Sequence, residues 1–204
     1  MSTLLAVYAS PRGDFSVSRT LTHTFVEAWR QNHADSTVVT RDLTTTPLPF
    51  VDLPWIAGAF SSPDRQTDAH KAALGVSDDL IAELKAADHI VLGTPMYNFN
   101  IPANVKAWID HIVRYGVTFS ASYEGLLKGK KVTVIVASGS VYTPGSHMEL
   151  FDFETGYLKH IFGFIGLTDV TFIKAGGSND VNQGKVSLEA FVKGFEPAIL
   201  QAAR

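Results

Sequence analysis

Three short stretches combine hydroxyls, amides and flat apolar side chains in patterns suited to a phosphorylated, planar ligand. The first is Ser10-Pro-Arg-Gly-Asp-Phe-Ser-Val-Ser18, with hydroxyls at Ser10, Ser16 and Ser18 just ahead of a helical pattern. Serine hydroxyls beside the free N–H groups of a helix N-terminus suit a phosphate. No Gly-Lys-Ser/Thr follows, so this is not a Walker A loop, and it lacks the G-x-G-x-x-G spacing of dinucleotide sites. Ser16 also fits an ordinary helix N-cap. The second stretch is Gly93-Thr-Pro-Met-Tyr-Asn-Phe-Asn100. Its Met96, Tyr97 and Phe99 can cover a flat ring while Asn98 and backbone amides address a polar edge. The plain alternative is a hydrophobic capping turn. The third is Ser138-Gly-Ser-Val-Tyr-Thr-Pro-Gly-Ser-His147, whose small residues permit close backbone approach or form an ordinary flexible loop.

Other chemistries lack their residues. Cys is absent, which removes disulfides, zinc–thiolate sites, iron–sulfur clusters and thiol nucleophiles together. The seven histidines show no H-x-x-x-H or H-x-H pairing, so no metal site is expected. Ser138-Gly-Ser-Val-Tyr does not supply the G-x-S-x-G of a serine hydrolase. A receiver domain would need carboxylates where this chain has Ala9-Ser10 and Gly93-Thr94.

The elements that must position these loops are legible as apolar runs. Thr3 to Ala9, Ser36 to Arg41, His89 to Gly93, Lys131 to Ala137 and Asp169 to Lys174 read as strands. Between them, Val17/Leu21/Phe25/Ala28-Trp29, Leu80-Ile81/Leu84/Ala87, Val105/Trp108-Ile109/Ile112-Val113 and Tyr157-Leu158/Ile161-Phe162/Ile165 recur at helical spacing. Leu188/Phe191-Val192/Phe195 closes the chain as a helix that Pro197 should kink or restart. Apolar strands alternating with helices predict an α/β fold: a doubly wound, five-stranded parallel sheet of flavodoxin-like type, order 2-1-3-4-5, covered on both faces. Such sheets bind ligands beyond the carboxyl ends of their strands, where all three loops lie. Residues 44–66, with four prolines among Phe50, Trp55 and Phe60, read as a long loop over a pocket, a partner subunit or simply the surface.

Composition bounds the rest. The 204 residues are 46% hydrophobic and 18% charged, which fits one folded domain spanning 1–204 rather than a disordered chain. A net charge of −3 without a basic stripe argues against nucleic-acid binding. No run approaches the roughly 18 apolar residues of a membrane span. The apolar N-terminus lacks a basic lead and a cleavage site, and reads as a strand. A cytoplasmic location is expected.

At these residues the chain resembles the FMN-dependent NADH:quinone oxidoreductase and azoreductase family, within the flavodoxin-like group that includes the mammalian quinone reductases. The carrying segments are SPRGDFSVS (10–18), PMYNFNIP (95–102), GVTF (116–119), EGLLKGKK (124–131) and GFIGLTDVTF (163–172). The resemblance implies that Ser10, Ser16, Val17 and Ser18 hold the FMN phosphate. Pro95, Met96, Tyr97, Asn98 and Phe99 would wrap the isoalloxazine, and Ser138, Gly139, Ser140 and Val141 would line its pyrimidine side. It implies a homodimer with active sites at the interface. NADH or NADPH would reduce the flavin and leave; a quinone or azo acceptor would then enter the same pocket. Phe119, Phe164 and Phe60 become candidates for an aromatic acceptor slot, Phe60 from the partner chain. Tyr142 and His147 become candidates to assist proton transfer. Family members commonly carry Ser-Arg-Gly-Gly where this chain has Ser138-Gly139-Ser140-Val141, and valine resists φ > 0. Two other functions fit the same fold: an NAD(P)H:FMN reductase that releases reduced flavin, and a flavodoxin-like electron carrier.

Overall fold

A computed structural model describes residues 2–204. Five strands form one parallel sheet: β1 (Thr3–Tyr8), β2 (Thr37–Asp42), β3 (His89–Pro95), β4 (Lys131–Ser138) and β5 (Asp169–Gly176). Their order is β2-β1-β3-β4-β5, as the alternation predicts. In register, Leu5 lies beside Val39 and Ile90, and Ile135 beside Gly93 and Ile173. The three inner strands are apolar almost throughout because helices cover both faces and leave no side for water.

Among the described residues the α-helices are α1 (Val17–Asn32), α2 (Leu53–Ala59), α3 (Asp68–Ala86), α4 (Ala103–Ile112), α5 (Phe153–Phe164), α6 (Asn179–Asn182), α7 (Leu188–Lys193) and α8 (Glu196–Ala202). α1, α7 and α8 cover one face, where Leu21, Phe25, Trp29 and Ile199 pack on Leu4, Ala6, Val91 and Ile135. α3, α4 and α5 cover the other, where Leu84, Trp108 and Phe162 pack on Leu5, Val7, Leu92 and Val134. Strand alternation splits one run of apolar residues between two cores. The C-terminal helical pattern breaks where Pro197 requires: α7 ends at Gly194 and α8 restarts with Pro197 in its first turn.

Residues 44–66 differ from the loop that their prolines suggest. They contain α2, started by Asp52, whose carboxylate accepts the Trp55 N–H at 2.9 Å, and a 3₁₀ turn at Pro63–Arg65. Pro54 occupies the first helical turn, where its missing N–H costs nothing. Trp55 is buried, and a His111 ring nitrogen meets the Pro49 carbonyl at 2.8 Å, so the segment is pinned to α4.

Two close approaches shape the site's surroundings. A Cβ on Gly93 would stand 2.0 Å from Thr22 Oγ1, so α1 lies directly on β3. A Cβ on Gly125 would stand 2.1 Å from the Gly166 nitrogen, so the 115–127 segment crosses the end of α5 backbone to backbone. No helix among the described residues is long and apolar enough to cross a membrane.

Candidate functional site

The loops after β1, β3, β4 and β5 converge at the carboxyl edge of the sheet. They enclose a cavity of about 260 Å³ lined by Ser10, Arg12, Ser16, Val17, Ser18, Pro95, Met96, Tyr97, Ala137, Gly139, Ser178, Asn179 and Asn182. A larger cavity of about 750 Å³ lies between α8 and the outer part of the sheet, lined by His89, Lys131, Asp169 and Arg204. The smaller cavity lies where open parallel sheets take ligands.

Its floor is the start of α1. Ser10, Ser16 and Ser18 are all buried. Ser16 caps the helix by accepting the Arg19 N–H at 3.3 Å, and its hydroxyl lies 3.3 Å from that of Ser18. The first-turn N–H groups of Val17 and Ser18 have no intrahelical acceptor. Three hydroxyls, two free N–H groups and the positive helix end therefore meet in one hollow, an arrangement suited to an anion. Arg12 is the charged side chain among the lining residues. Arg19 instead braces the loop from behind. Its Nε donates to the Ser10 carbonyl at 2.6 Å, and its guanidinium donates to Asp42 at 2.6 Å and Thr44 at 2.9 Å. Burial works to raise the Asp42 carboxyl, but hydrogen bonds from Arg19 and Thr44 outweigh it and hold the group below its ordinary range.

The wall is the segment after β3. Met96 N–H donates to the Ala137 carbonyl at 2.8 Å, tying this loop to the end of β4. Tyr97 and Asn100 exchange backbone bonds of 2.8 and 3.0 Å, with Asn98 (φ 49°) and Phe99 (φ 69°) between them. Two left-handed residues inside a two-residue turn match the type I′ geometry, whose usual second residue is glycine. Phe99 occupies that position under strain and keeps its ring half exposed against Phe151, at 5.7 Å between centroids. Tyr97 is similarly half exposed.

Of the residues singled out in the sequence, Ser10, Ser16, Val17, Ser18, Pro95, Met96, Tyr97 and Gly139 line the cavity. Asn98 and Phe99 form the turn at its rim. Ser138 is turned inward, its hydroxyl donating to the Ser140 carbonyl at 2.9 Å. Ser140 and Val141 belong to the loop beside it. Val141 is not among the residues with positive φ, so this turn does not need glycine there. Tyr142 and His147 lie further along and do not line the cavity; His147 is exposed. Phe119 packs on Phe164 at 4.8 Å, stacks with Tyr123 at 6.4 Å and meets Tyr115 at 5.9 Å. Phe60 is exposed and stacks on Tyr115 at 6.5 Å. These rings form one aromatic array rather than a wall of this cavity. Arg12, Ala137, Ser178, Asn179 and Asn182 were not anticipated. Asn179 packs its carboxamide onto Gly139, where a Cβ would stand 2.8 Å from Oδ1. The loop after β5 has an ordinary turn composition, and only the small Gly176-Gly177 pair hinted at close packing. Among the described residues, no three His, Asp or Glu side chains cluster as metal ligands would.

A family model described as flavodoxin-like fold matches residues 2–196. The FMN-dependent NADH:quinone oxidoreductase 2 of Jannaschia sp. (strain CCS1) is 48% identical over 204 residues, covering both chains fully. The chain belongs to this family of flavodoxin-like oxidoreductases. The enzyme is also 49% identical over 203 residues to FMN-dependent NADH:quinone oxidoreductase 8 of Burkholderia lata, covering 100% of this chain and 97% of the other. Among solved structures it resembles the FMN-dependent NADH-azoreductase from Bacillus anthracis str. Ames Ancestor in complex with FMN. The TM-score is 0.85 at 25% identity, over 99% of this chain and 98% of that one.

Proposed function

We propose that the enzyme, acting through its whole 1–204 chain, is an FMN-dependent NAD(P)H oxidoreductase that reduces quinones by two electrons and cleaves azo compounds by a ping-pong cycle. The observation that carries this reading is the anion cradle of Ser10, Ser16 and Ser18 joined to the strained 97–100 turn at one edge of the sheet. A cavity of about 260 Å³ takes the phosphate and chain of FMN, and the half-exposed Tyr97 and Phe99 offer their rings to its flat part. When bound, FMN supplies the redox chemistry, accepting two electrons from the nicotinamide and passing them to the acceptor.

The protein's part is to hold, orient and neutralise. Val17 and Ser18 N–H groups and the three serine hydroxyls bind the phosphate dianion. The Pro95–Phe99 segment sets the plane of the ring. Backbone N–H groups of Ser140, Val141 and Tyr142 have no acceptor among the described residues and are the donors for charge that builds on the reduced ring. Neither NADH nor NADPH is preferred by any residue assigned here.

Large apolar side chains stand in solvent on the surface: Phe50, Leu53, Phe60, Tyr123, Leu150 and Phe153 are each more than half exposed. Patches of this kind mark interfaces, and a second copy of the chain covering them supports a homodimer with its active sites at the interface. Phe60 then reaches the acceptor slot of the partner. A cytoplasmic location accords with the use of nicotinamide donors.

The test is direct. Purified protein loaded with FMN should be yellow, keep its flavin through gel filtration, and oxidise NADH only when a quinone or azo dye is added. Protein that fails to take up FMN overturns the reading. Ready loss of flavin with rapid reduction of free FMN would instead make it a flavin reductase.

A further inference from the structure

Behind the cavity wall lies a buried acid that the functions above do not use. Glu154, in the first turn of α5, is fully buried, as is Thr94 of β3. Glu154 Oε1 lies 3.0 Å from Thr94 Oγ1, and Glu154 Oε2 has no partner. Thr94 Oγ1 also lies 3.2 Å from the carbonyl of Pro95, a cavity residue.

The geometry and the burial together favour the protonated acid. Thr94 owns one hydroxyl proton and faces two acceptors, the Pro95 carbonyl and Glu154 Oε1. With one proton, Thr94 can serve both acceptors only by sharing it; a protonated Glu154 that donates to Thr94 Oγ1 leaves the threonine proton wholly for Pro95. An ionised Glu154 would take the threonine proton, free the Pro95 carbonyl, and leave Oε2 as a buried, unsolvated charge. Burial pushes the carboxyl well above its ordinary range, and the charge of Asp152 adds to this, while the Thr94 bond opposes it.

The charged groups around it are few. Asp152, the cap of α5, repels ionisation and is itself engaged at 2.7 Å by Lys174 of β5. Lys106 and Asp110 of α4 act further along α5, at Tyr157. β3 offers only Thr94. The same end of α5 also holds the rim, because the Phe153 N–H donates to the Phe99 carbonyl at 3.2 Å.

We propose that Glu154 is a positioning residue for the flavin cavity: a buried acid that keeps its proton, donates it to Thr94, and through the Thr94 hydroxyl fixes the Pro95 carbonyl and the wall that follows. This deepens, and rests on, the assignment of the cavity to FMN. The relay runs Glu154 O–H to Thr94 O–H to Pro95 C=O, and each donor has one acceptor. Glutamine can replace the neutral acid by donating its amide to Thr94. Alanine cannot.

The experiment measures FMN affinity by flavin fluorescence from pH 6 to 9 for the wild type, Glu154→Gln and Glu154→Ala. Infrared spectra of the apoproteins are recorded alongside. The FMN phosphate titrates equally in all three, so the difference between profiles is the readout. Glu154→Gln should match the wild type at pH 6 and lack any extra weakening that the wild type shows as Glu154 ionises. Glu154→Ala should bind roughly tenfold more weakly than Glu154→Gln at every pH. The wild-type apoprotein should show the carbonyl stretch of a protonated buried acid, absent from the glutamine variant. Absence of that stretch at neutral pH, or an alanine variant that binds FMN as the wild type does, overturns the proposal. If the alanine variant fails to fold, the infrared band and the glutamine profile still decide it. Failure of the wild type to bind FMN would instead refute the cavity assignment and leave the infrared test standing.

Discussion

Ser16 and Ser18 separate a structural serine from a binding serine within one turn of helix. Both hydroxyls are buried and face the same cavity, yet only Ser16 accepts a backbone N–H, from Arg19 at 3.3 Å. The protein partner of the Ser18 hydroxyl is that of Ser16, at a long 3.3 Å. Removing the Ser16 hydroxyl deletes the cap of α1 and should cost about 1 kcal/mol. In a chain of this size that lowers the melting temperature of the apoprotein by roughly 2–4 °C. Removing the Ser18 hydroxyl deletes only a weak contact and should stay within about 0.5 kcal/mol. Toward FMN the two should behave alike. A hydroxyl donating to a phosphate dianion contributes about 1.5–3 kcal/mol, so each alanine variant should lose roughly 10- to 150-fold in affinity. The assay is FMN titration by fluorescence quenching, with thermal melts of the flavin-free proteins. If Ser18→Ala keeps wild-type affinity, the hydroxyls are ordinary parts of a helix start and the phosphate cradle is wrong.

Phe99→Gly should leave the apoprotein's stability within about 1 kcal/mol of the wild type, because a left-handed phenylalanine is relieved as the ring is lost. FMN retention should fall; a large stability loss with unchanged flavin binding would make the ring structural. His89, buried between Phe25 and Trp29, is pushed by burial from 6.5 to about 4, with the charges of Lys131 and His33 adding to the effect. A histidine whose value is lowered on folding contributes stability that is complete above pH 6.5 and is lost as pH falls toward 4, about 2 kcal/mol of it by pH 5. Urea midpoints at pH 7 and pH 5 should therefore differ less for His89→Gln than for the wild type, and equal differences would refute the assignment.

The strands were legible because an inner parallel strand must be apolar on both sides, as in His89–Pro95 and Lys131–Ser138. The buried serines at the start of α1 were legible because hydroxyls ahead of a helical pattern suit both a helix cap and an anion. Three things were not. α2 hid among prolines that occupy permitted first-turn positions. Asn179 and Asn182 gain their place from where β5 ends, since nothing local distinguishes them from turn residues. Glu154 looks like any acid favoured at a helix start, and only three-dimensional burial and the position of Thr94 show that its ionisation is disfavoured.

The strand order also sets the sequence of events as the chain leaves the ribosome. β1, β2 and β3 are adjacent in space and come from the first half of the chain, so the serine cradle can form against β3 before β4 exists. β3, buried along nearly its whole length in the finished protein, then waits with one edge unpaired until residues 131–138 emerge. An apolar strand with an open edge is the kind of surface on which nascent chains aggregate. The far side of the cavity, Ser178 to Asn182, arrives later still. The ligand site is thus among the last features completed, and a flavin present during synthesis would meet a cradle before it meets a pocket.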